Sequence, residues 1–458
     1  MKQVIYLAAM FWIIIISFPQ GLSFADDAKR MEGVGNRLST EISLSDLLNY
    51  AYLNNPSIIA SKQDWKISIE NYNLGKSYPD PQIMSTYYPS PLETRLGPQD
   101  WNLTLSQQFP FPGTLSQKGK VLESDVKISK FRLDKTVRDI AASIIISFHE
   151  LIYVQKASHF AQSNFKLAQE MLKLSENLYT NDKALFYDIS KARAQTAQIQ
   201  YDILLLKELE QSEKARINTL LNRNPHARLG IARDLAFRKV VYEISEIYEL
   251  SRDNLENILI AEEKINQSTQ RMKLAKLENL PSFKLGLFYA SIGDPDVPTP
   301  PPDAGDDAIG IQLGFNIPLW LGKNQSRTSI AFAMKQKARA QKLEIINKTS
   351  AKISRLWFKL QNSKRLITLY AKEMIPQSLR SVQTAETWYR QGEGSFSDFL
   401  ELQATAYNFQ ISLERAKADY GKTLVKLELF TGVSLDKRIS GKKITGKKSI
   451  APKGDDKS

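Results

Sequence analysis

Residues 309–322 read IGIQLGFNIPLWLG. Ile309, Ile311, Leu313, Phe315 and Ile317 recur at every second position, with Gly310, Gln312, Gly314 and Asn316 between them. This is the period of an extended strand with one apolar face and one small or polar face. Pro318 and Gly322 then punctuate the chain, and a long helical pattern begins at about residue 324. A strand that turns grease to one side and runs straight into a very long helix is the feature that decides the fold.

Three other segments read the same way. Residues 101–109 place Trp101, Leu103, Leu105 and Phe109 on one side, with Gln107 as the exception. Residues 282–289 align Phe283, Leu285, Leu287 and Tyr289. Residues 82–88, rich in Tyr and Thr, alternate poorly. Alternation alone also fits a half-buried strand of a soluble protein. Each segment, however, is about the nine or ten residues that a tilted strand needs to cross a bilayer. The non-apolar face reads as small or uncharged polar, as expected beside a wet lumen. Tyr87, Tyr88, Trp101, Tyr289 and Trp320 sit near strand ends, like an interfacial aromatic belt. The segment 292–307, IGDPDVPTPPPDAGDD, is dominated by Pro and Asp and must face solvent. The segment 89–100 reads as a second, shorter hairpin loop carrying Pro.

The helices are too long for a globule. From Thr114 to Asn177 there is no Pro and one internal glycine, Gly119, and Leu167, Met171, Leu174 and Leu178 keep helical spacing. That is roughly 64 residues, or about 95 Å of helix. A second long helix is expected over 324–388, kinked at Pro376. Returning helices are expected at about 186–221 and 396–430.

The order helix, strand, loop, strand, long helix, break, helix occurs twice, over 42–225 and 243–434. Tyr78-Pro79 matches Leu280-Pro281, and QQFPFPG at 107–113 matches FNIPLWLG at 315–322. Residues 226–242 then read as a linker between repeats, and 26–41 as a polar N-terminal segment.

Lys2 precedes an apolar run from Val4 to Phe18, and Ser23-Phe24-Ala25 offers small residues at cleavage spacing. Residues 1–25 are expected to be a secretory signal peptide, removed after Ala25. No other stretch reaches 18 consecutive apolar residues, so no spanning helix is expected. The chain has 458 residues, no cysteine and a formal net charge of +13. Disulfides, thiol catalysis and thiolate metal sites are thereby excluded. Residues 435–458 form a Lys-rich tail, expected to be disordered and solvated. The remaining positive charge reads as dispersed, with no basic stripe outside the tail, so no nucleic-acid partner is indicated. His149, His159 and His226 are not at metal-ligand spacing, the methionines are scattered, and no glycine-rich phosphate loop occurs. The expectation is no enzyme, no cofactor and no metal site.

The duplicated order, taken with local motifs, resembles the TolC family of outer-membrane efflux proteins over about residues 42–434. WYRQGEGSFSDFLELQ at 388–403 is similar to the family's turn between the long and the returning helix. LYTNDKALFYDISKAR at 178–193 is its counterpart in the first repeat, with Asp182 where Gly is usual. AYLNNPSI at 51–58 resembles the family's opening Asn-Pro helix, and QFPFPG at 108–113 resembles branches associated with heavy-metal export.

The resemblance implies a mainly α fold with a small β part, built of two tandem repeats. Four strands per chain would contribute to a trimeric 12-stranded transmembrane β-barrel, continued by a long periplasmic α-helical barrel. Physics agrees that one chain is insufficient, because four strands cannot close and an open edge cannot sit in hydrocarbon. Implied partners are two further copies in a homotrimer, outer-membrane lipid, a periplasmic adaptor protein and an inner-membrane transporter of the RND type. The implied location is the outer membrane, with a large periplasmic part.

The resemblance also places Asp398 and Glu401 at acidic-ring positions of a periplasmic gate, and Tyr389 and Asp188 in a closing hydrogen-bond network. Asp182, Gly392 and Gly394 fall at the turns of the helical tip. An arginine that the family's network often uses would fall at Gly394. The plainer reading of Asp398 and Asp188 is that they cap helix N-termini. The expected function is a passive exit duct of a tripartite efflux system. A duct for type I protein secretion and a non-channel periplasmic coiled-coil scaffold remain open alternatives.

Overall fold

A computed structural model describes residues 38–438 apart from Lys183. The expected signal peptide and residues 439–458 of the tail lie outside the described residues. Short helices α1 (Leu44–Asn54) and α2 (Pro56–Gly75) lead into strands β2 (Gln82–Thr94) and β3 (Gly97–Phe109). The 67-residue helix α3 (Thr114–Thr180) and its return α4 (Phe186–Leu220) follow. The second half repeats the order with α5 (Ile244–Asn254), α6 (Glu256–Leu277), β5 (Phe283–Ile292), β6 (Ala308–Phe315) and α7 (Leu321–Leu369). A π-helical turn, Tyr370–Met374, joins α7 to α8 (Ile375–Gln391), and α9 (Phe396–Thr431) returns. Two-residue strands β1 (Glu41–Ile42) and β4 (Ile231–Ala232) complete the described elements.

Local chemistry explains the boundaries. Ser43 accepts from the Asp46 amide at the start of α1, and Asn55 accepts from the Ser57 and Ile58 amides at the start of α2, where Pro56 loses nothing by lacking an N–H. The interruption expected at Pro376 is a π-helical turn on its N-terminal side. Pro376 cannot donate to the carbonyl four residues back, and the wider register absorbs that loss without ending the helix.

The four long strands form one antiparallel sheet in the order β2-β3-β5-β6. Its register lines up Ile83, Leu105, Leu287 and Ile311 in one cross-strand row, and Thr104, Phe288 and Gly310 with Met84 in the next. Residues 89–100 are not the loop expected from sequence. β2 and β3 continue through them to a tight turn at Arg95-Leu96, before Gly97 at φ +136°. Pro89 and Pro91 fall in a bulge between the pairs Tyr87–Trp101 and Leu92–Gln99, where a missing N–H costs no ladder bond.

Beside the sheet, α2, α3, α6 and α7 lie next to one another in that order; farther away the order is α4, α3, α9 and then α7 with α8. Among the described residues four apolar clusters hold the layer, the smallest joining Tyr153, Val154 and Ala157 to Ala418. One joins Leu38 and Ile42 to Ile144, Phe148, Leu151 and Ile217. A second joins Tyr242 and Ile247 to Ile353, Leu360, Tyr420 and Leu427. A third lies at the far end of the helices.

Three segment boundaries differ from the sequence reading. Residues 38–41, assigned to a polar N-terminal segment, bury Leu38 and carry Glu41 into β1, which pairs with β4 in parallel. The inter-repeat segment 226–242 is not a free linker but a band across the helices: Phe237 stacks on Tyr420 at 4.6 Å and Arg238 pairs with Glu428. Residues 435–438, assigned to a disordered tail, are fixed by the same band. Leu435 is fully buried, the Val241 amide donates to its carbonyl, and Asp436 takes the Arg238 Nε at 2.8 Å.

Candidate functional site: the helical tip and the sheet faces

At the tip the two helical returns differ. In the second repeat Gly392 ends α8 in the left-handed region at φ +80°, and its amide donates to the Tyr389 carbonyl. The Glu393 and Gly394 amides both reach the Trp388 carbonyl, at 3.1 and 3.2 Å. A Cβ on Gly394 would stand 2.9 Å from the Tyr389 nitrogen and 3.0 Å from the Trp388 Cβ. Close approach therefore demands glycine, and the arginine that the resemblance would place at this position has no room. Arg380, about three turns back from the end of α8, lines the same groove as Gly394, Ser395 and Asp398. In the first repeat Asp182 takes the left-handed conformation at φ +58°. A short polar side chain makes that region accessible without glycine.

Neither carboxylate is an N-cap. Ser395 caps α9 by accepting from the Asp398 amide, so Asp398 is the third helical residue. Leu185 precedes α4, and Asp188 reaches back to the Leu185 amide at 3.4 Å. Both acids sit in a first helical turn, where the helix dipole favours negative charge. Asp398 and Glu401 are exposed and one turn apart, so they share a face of α9. Nothing within the chain neutralises either one among the described ion pairs.

Tyr389 is buried and points into its own chain. Its hydroxyl lies 2.9 Å from Ser175 Oγ, and its ring packs on Phe396 at 4.9 Å. Burial raises its phenol pKa, and the Asp188 charge pushes the same way. Asp188 is thus near enough to be felt, but no hydrogen bond joins the two residues. Lys191 of α4 donates to Ser397 of α9 at 2.8 Å, a second link across the tip.

Sequence reasoning did not single out the apolar plug behind this surface. Phe396 and Phe399 pack with Met171, Ala192 and Val382 under Tyr389. Nor did it single out Leu185, Phe186, Tyr187 and Trp388, which stand exposed at the same end. The signal was present in LFY at 185–187, three bulky residues in a turn with no core to enter.

The sheet presents two unlike faces. Ile309, Ile311 and Leu313 are 80%, 73% and 79% exposed, and Ile83, Leu105, Leu285 and Leu287 extend the same face. The opposite face carries Gln82, Asn102, Thr104, Ser106, Gln108, Gly286, Gly310, Gln312 and Gly314 as its small and polar positions, and Lys284, between Gln108 and Gly314, makes it charged where an uncharged face was expected. An exposed apolar surface of this extent is not left to water. Among the described residues no helix is long and apolar enough to cross a membrane, and no group of three or more His, Asp or Glu could hold a metal. His149 is buried against Gly421, away from any other possible ligand cluster.

Residues 247–433 match the model of the outer membrane efflux protein family. The fold is that of several solved outer-membrane channels. VceC of Vibrio cholerae superposes with a TM-score of 0.71 at 18% identity, over 86% of this chain and 96% of that one. The CmeC outer membrane channel of Campylobacter jejuni gives 0.68 at 14% identity, over 86% of each chain. The open-state MtrE channel of Neisseria gonorrhoeae gives 0.67 at 15% identity, over 86% of this chain and 89% of that one. A search of curated protein sequences gave no match.

Proposed function

We propose that this chain is the subunit of a trimeric outer-membrane channel, the passive exit duct of a tripartite efflux system. The observation that carries the reading is the two-faced sheet joined without a break to a layer of helices about 100 Å long. Four strands with an exposed apolar face have free edges at β2 and β6, which hydrocarbon does not tolerate. Three copies close the edges into twelve strands and set the polar faces around a wet passage. The coiled-coil scaffold explains the helices but gives the apolar sheet face nothing to do.

The tip then faces the periplasm. Three-fold symmetry turns Asp398 and Glu401 into two acidic rings, and Tyr389, Asp188 and the turns at Asp182, Gly392 and Gly394 hold the returning helices in register around them. Exposed Leu185, Phe186 and Tyr187 offer apolar contacts to a periplasmic adaptor, through which an inner-membrane transporter of the RND type would deliver cargo. The two repeats, 42–225 and 243–434, are the structural units of each subunit. The test is fractionation followed by conductance. The mature chain should start at Asp26, run as a heat-resistant trimer from outer-membrane extracts, and form ion-conducting pores in planar bilayers. A monomer in the soluble periplasmic fraction would overturn the proposal.

A further inference from the structure

The positive charge of the chain is not dispersed, as the sequence reading had it. Helix α7 alone carries twelve Lys or Arg against one Glu. Lys348, Lys352, Arg355 and Lys359 follow one another at steps of four, three and four, so they form a single stripe on α7. On α9, Arg415, Asp419, Lys422 and Lys426 repeat the same steps. The two stripes meet: Lys359 of α7 lines one groove with Arg415, Lys422 and Lys426, a cavity of about 610 Å³.

The direction of this groove follows from the band. Tyr420 of α9 lies under residues 237–238, its ring stacked on Phe237 and its hydroxyl donating to the Arg238 carbonyl at 2.9 Å. Leu424 belongs to the apolar cluster beneath the band. Lys422 stands two residues from each, about 200° round the helix. The groove therefore opens on the face of the helical layer opposite the band. A second stripe on α7 (Ala340, Ala351, exposed Phe358 and Leu369) lies roughly a quarter-turn from the basic one by helical geometry. That apolar stripe suits contact with a neighbouring copy, because α7 is the edge helix of the layer. The basic stripe is left for the passage.

Within the chain the charge is only partly answered. Glu150 holds Arg415 and Lys422 at 2.7 and 2.6 Å, and Asp419 also reaches Lys422. Lys348 pairs with Glu344. Among the described residues, Lys352, Arg355, Lys359 and Lys426 have no carboxylate partner. Lys359 and Lys426 line the cleft itself, Lys352 stands over the Phe430 ring at 5.2 Å, and Arg355 lies one turn along the stripe from Lys359. Charge gathered in this way is unfavourable unless water, salt or a ligand compensates it.

We infer that this basic groove is an anion-binding girdle inside the duct, and that the cargo it passes is multiply charged anionic small molecules. The inference rests on the duct reading above. Three copies supply a ring of twelve cations without a carboxylate partner in their own chain, at mid-height. Such a ring raises the local concentration of anions and lowers that of metal cations. Anionic cargo has the same sign as the acidic tip, so the tip slows its entry and the girdle draws it onward once it is past.

The test uses the full-length trimer in planar bilayers, with inorganic tripolyphosphate as the probe. Tripolyphosphate should block the wild-type current. The combined variant Lys352→Gln, Arg355→Gln, Lys359→Gln, Lys426→Gln should weaken that block by at least about tenfold and shift the reversal potential in a KCl gradient toward cation preference. A charge-preserving set, Lys352→Arg, Arg355→Lys, Lys359→Arg, Lys426→Arg, should keep the block, which separates charge from fold. Open channels that ignore tripolyphosphate, or a block unchanged by the Gln set, would overturn the girdle and leave the duct standing. Trimers that conduct no ions at all would overturn both.

Discussion

Tyr389 and Ser175 hold α8 against α3 through a buried hydroxyl pair, 2.9 Å apart, at the end of the molecule where the helices turn back. Ser175 also donates to the Met171 carbonyl. The phenol therefore spends its hydrogen bond sealing the seam within one chain.

Removing the hydroxyl should loosen that seam. Tyr389→Phe leaves the ring packed on Phe396 and deletes one buried hydrogen bond, a cost of about 0.5–1.5 kcal/mol. The expected result is a small fall in the thermal stability of the trimer and a higher resting conductance. Ser175→Ala should do the same. If Tyr389→Phe opens the channel and Ser175→Ala does not, the phenol acts across the assembled tip through Asp188.

Strand register predicts which charges the sheet accepts. Ile311→Arg and Leu313→Arg place a cation on the apolar face, at a cost of about 2–4 kcal/mol at mid-bilayer. Gln312→Arg lies on the opposite face, paired across to Gly286, and should be tolerated better. Trimer yield from outer-membrane extracts reads the difference. Equal yields for all three variants would mean that the apolar face does not meet lipid.

Much of this fold was legible because its signals are local. Period-two alternation at 309–317 marks β6 without any tertiary knowledge, and Pro and Gly at 318 and 322 mark where it ends. The Trp388–Gly394 turn announces itself by two glycines, and the structure shows that each is needed, Gly392 for its φ and Gly394 for space. What sequence could not show depends on distant partners. Leu38 looks like a stray residue in a polar segment until Ile144 and Phe148, more than a hundred positions away, are found beside it. Asp398 reads as an N-cap until Ser395 is seen to hold the role. The basic stripe was hidden for another reason: helical spacing scatters its members among neutral residues, and only the band shows which way they point.

Gly394 makes the tip turn intolerant. Any side chain there drives a Cβ into the Trp388–Tyr389 backbone, so Gly394→Ala should cost stability although the position is not in the core. Gly394→Arg should be worse and should not create a working gate. A Gly394→Ala trimer with unchanged melting and conductance would show that the turn relaxes without effect on the tip.

The acidic rings should govern cation access at the mouth. With Ser395 as the cap, Asp398→Ala keeps the N-cap bond, so the pair Asp398→Ala, Glu401→Ala should leave trimer assembly intact. Cation preference and block by divalent ions should both weaken in single-channel recordings. Unchanged selectivity and block would mean that these carboxylates face away from the passage.

His149 supplies a pH dependence whose sign can be worked out. Its ring is buried against Gly421, and burial, reinforced by the charges of Lys422 and Arg238, lowers its pKa from 6.5 to about 4. In the unfolded chain the same imidazole titrates near 6.5. Between those values the unfolded chain binds a proton and the folded one does not. Folding is then opposed by the proton, and stability falls as pH drops, at up to about 1.4 kcal/mol per pH unit for this one group. Above about pH 6.5 the contribution is flat. Once the pH passes below about 4 both states are protonated and the penalty stops growing. His149→Gln removes the titrating group but keeps a polar side chain of similar reach, so the melting temperature of that variant should depend less on pH between about 6.5 and 4 than that of the wild type. Carboxylates also titrate near the lower end, so the difference between the two curves, not either curve alone, is the measurement. Parallel curves across that window would show that His149 is reached by water and titrates normally in the folded protein.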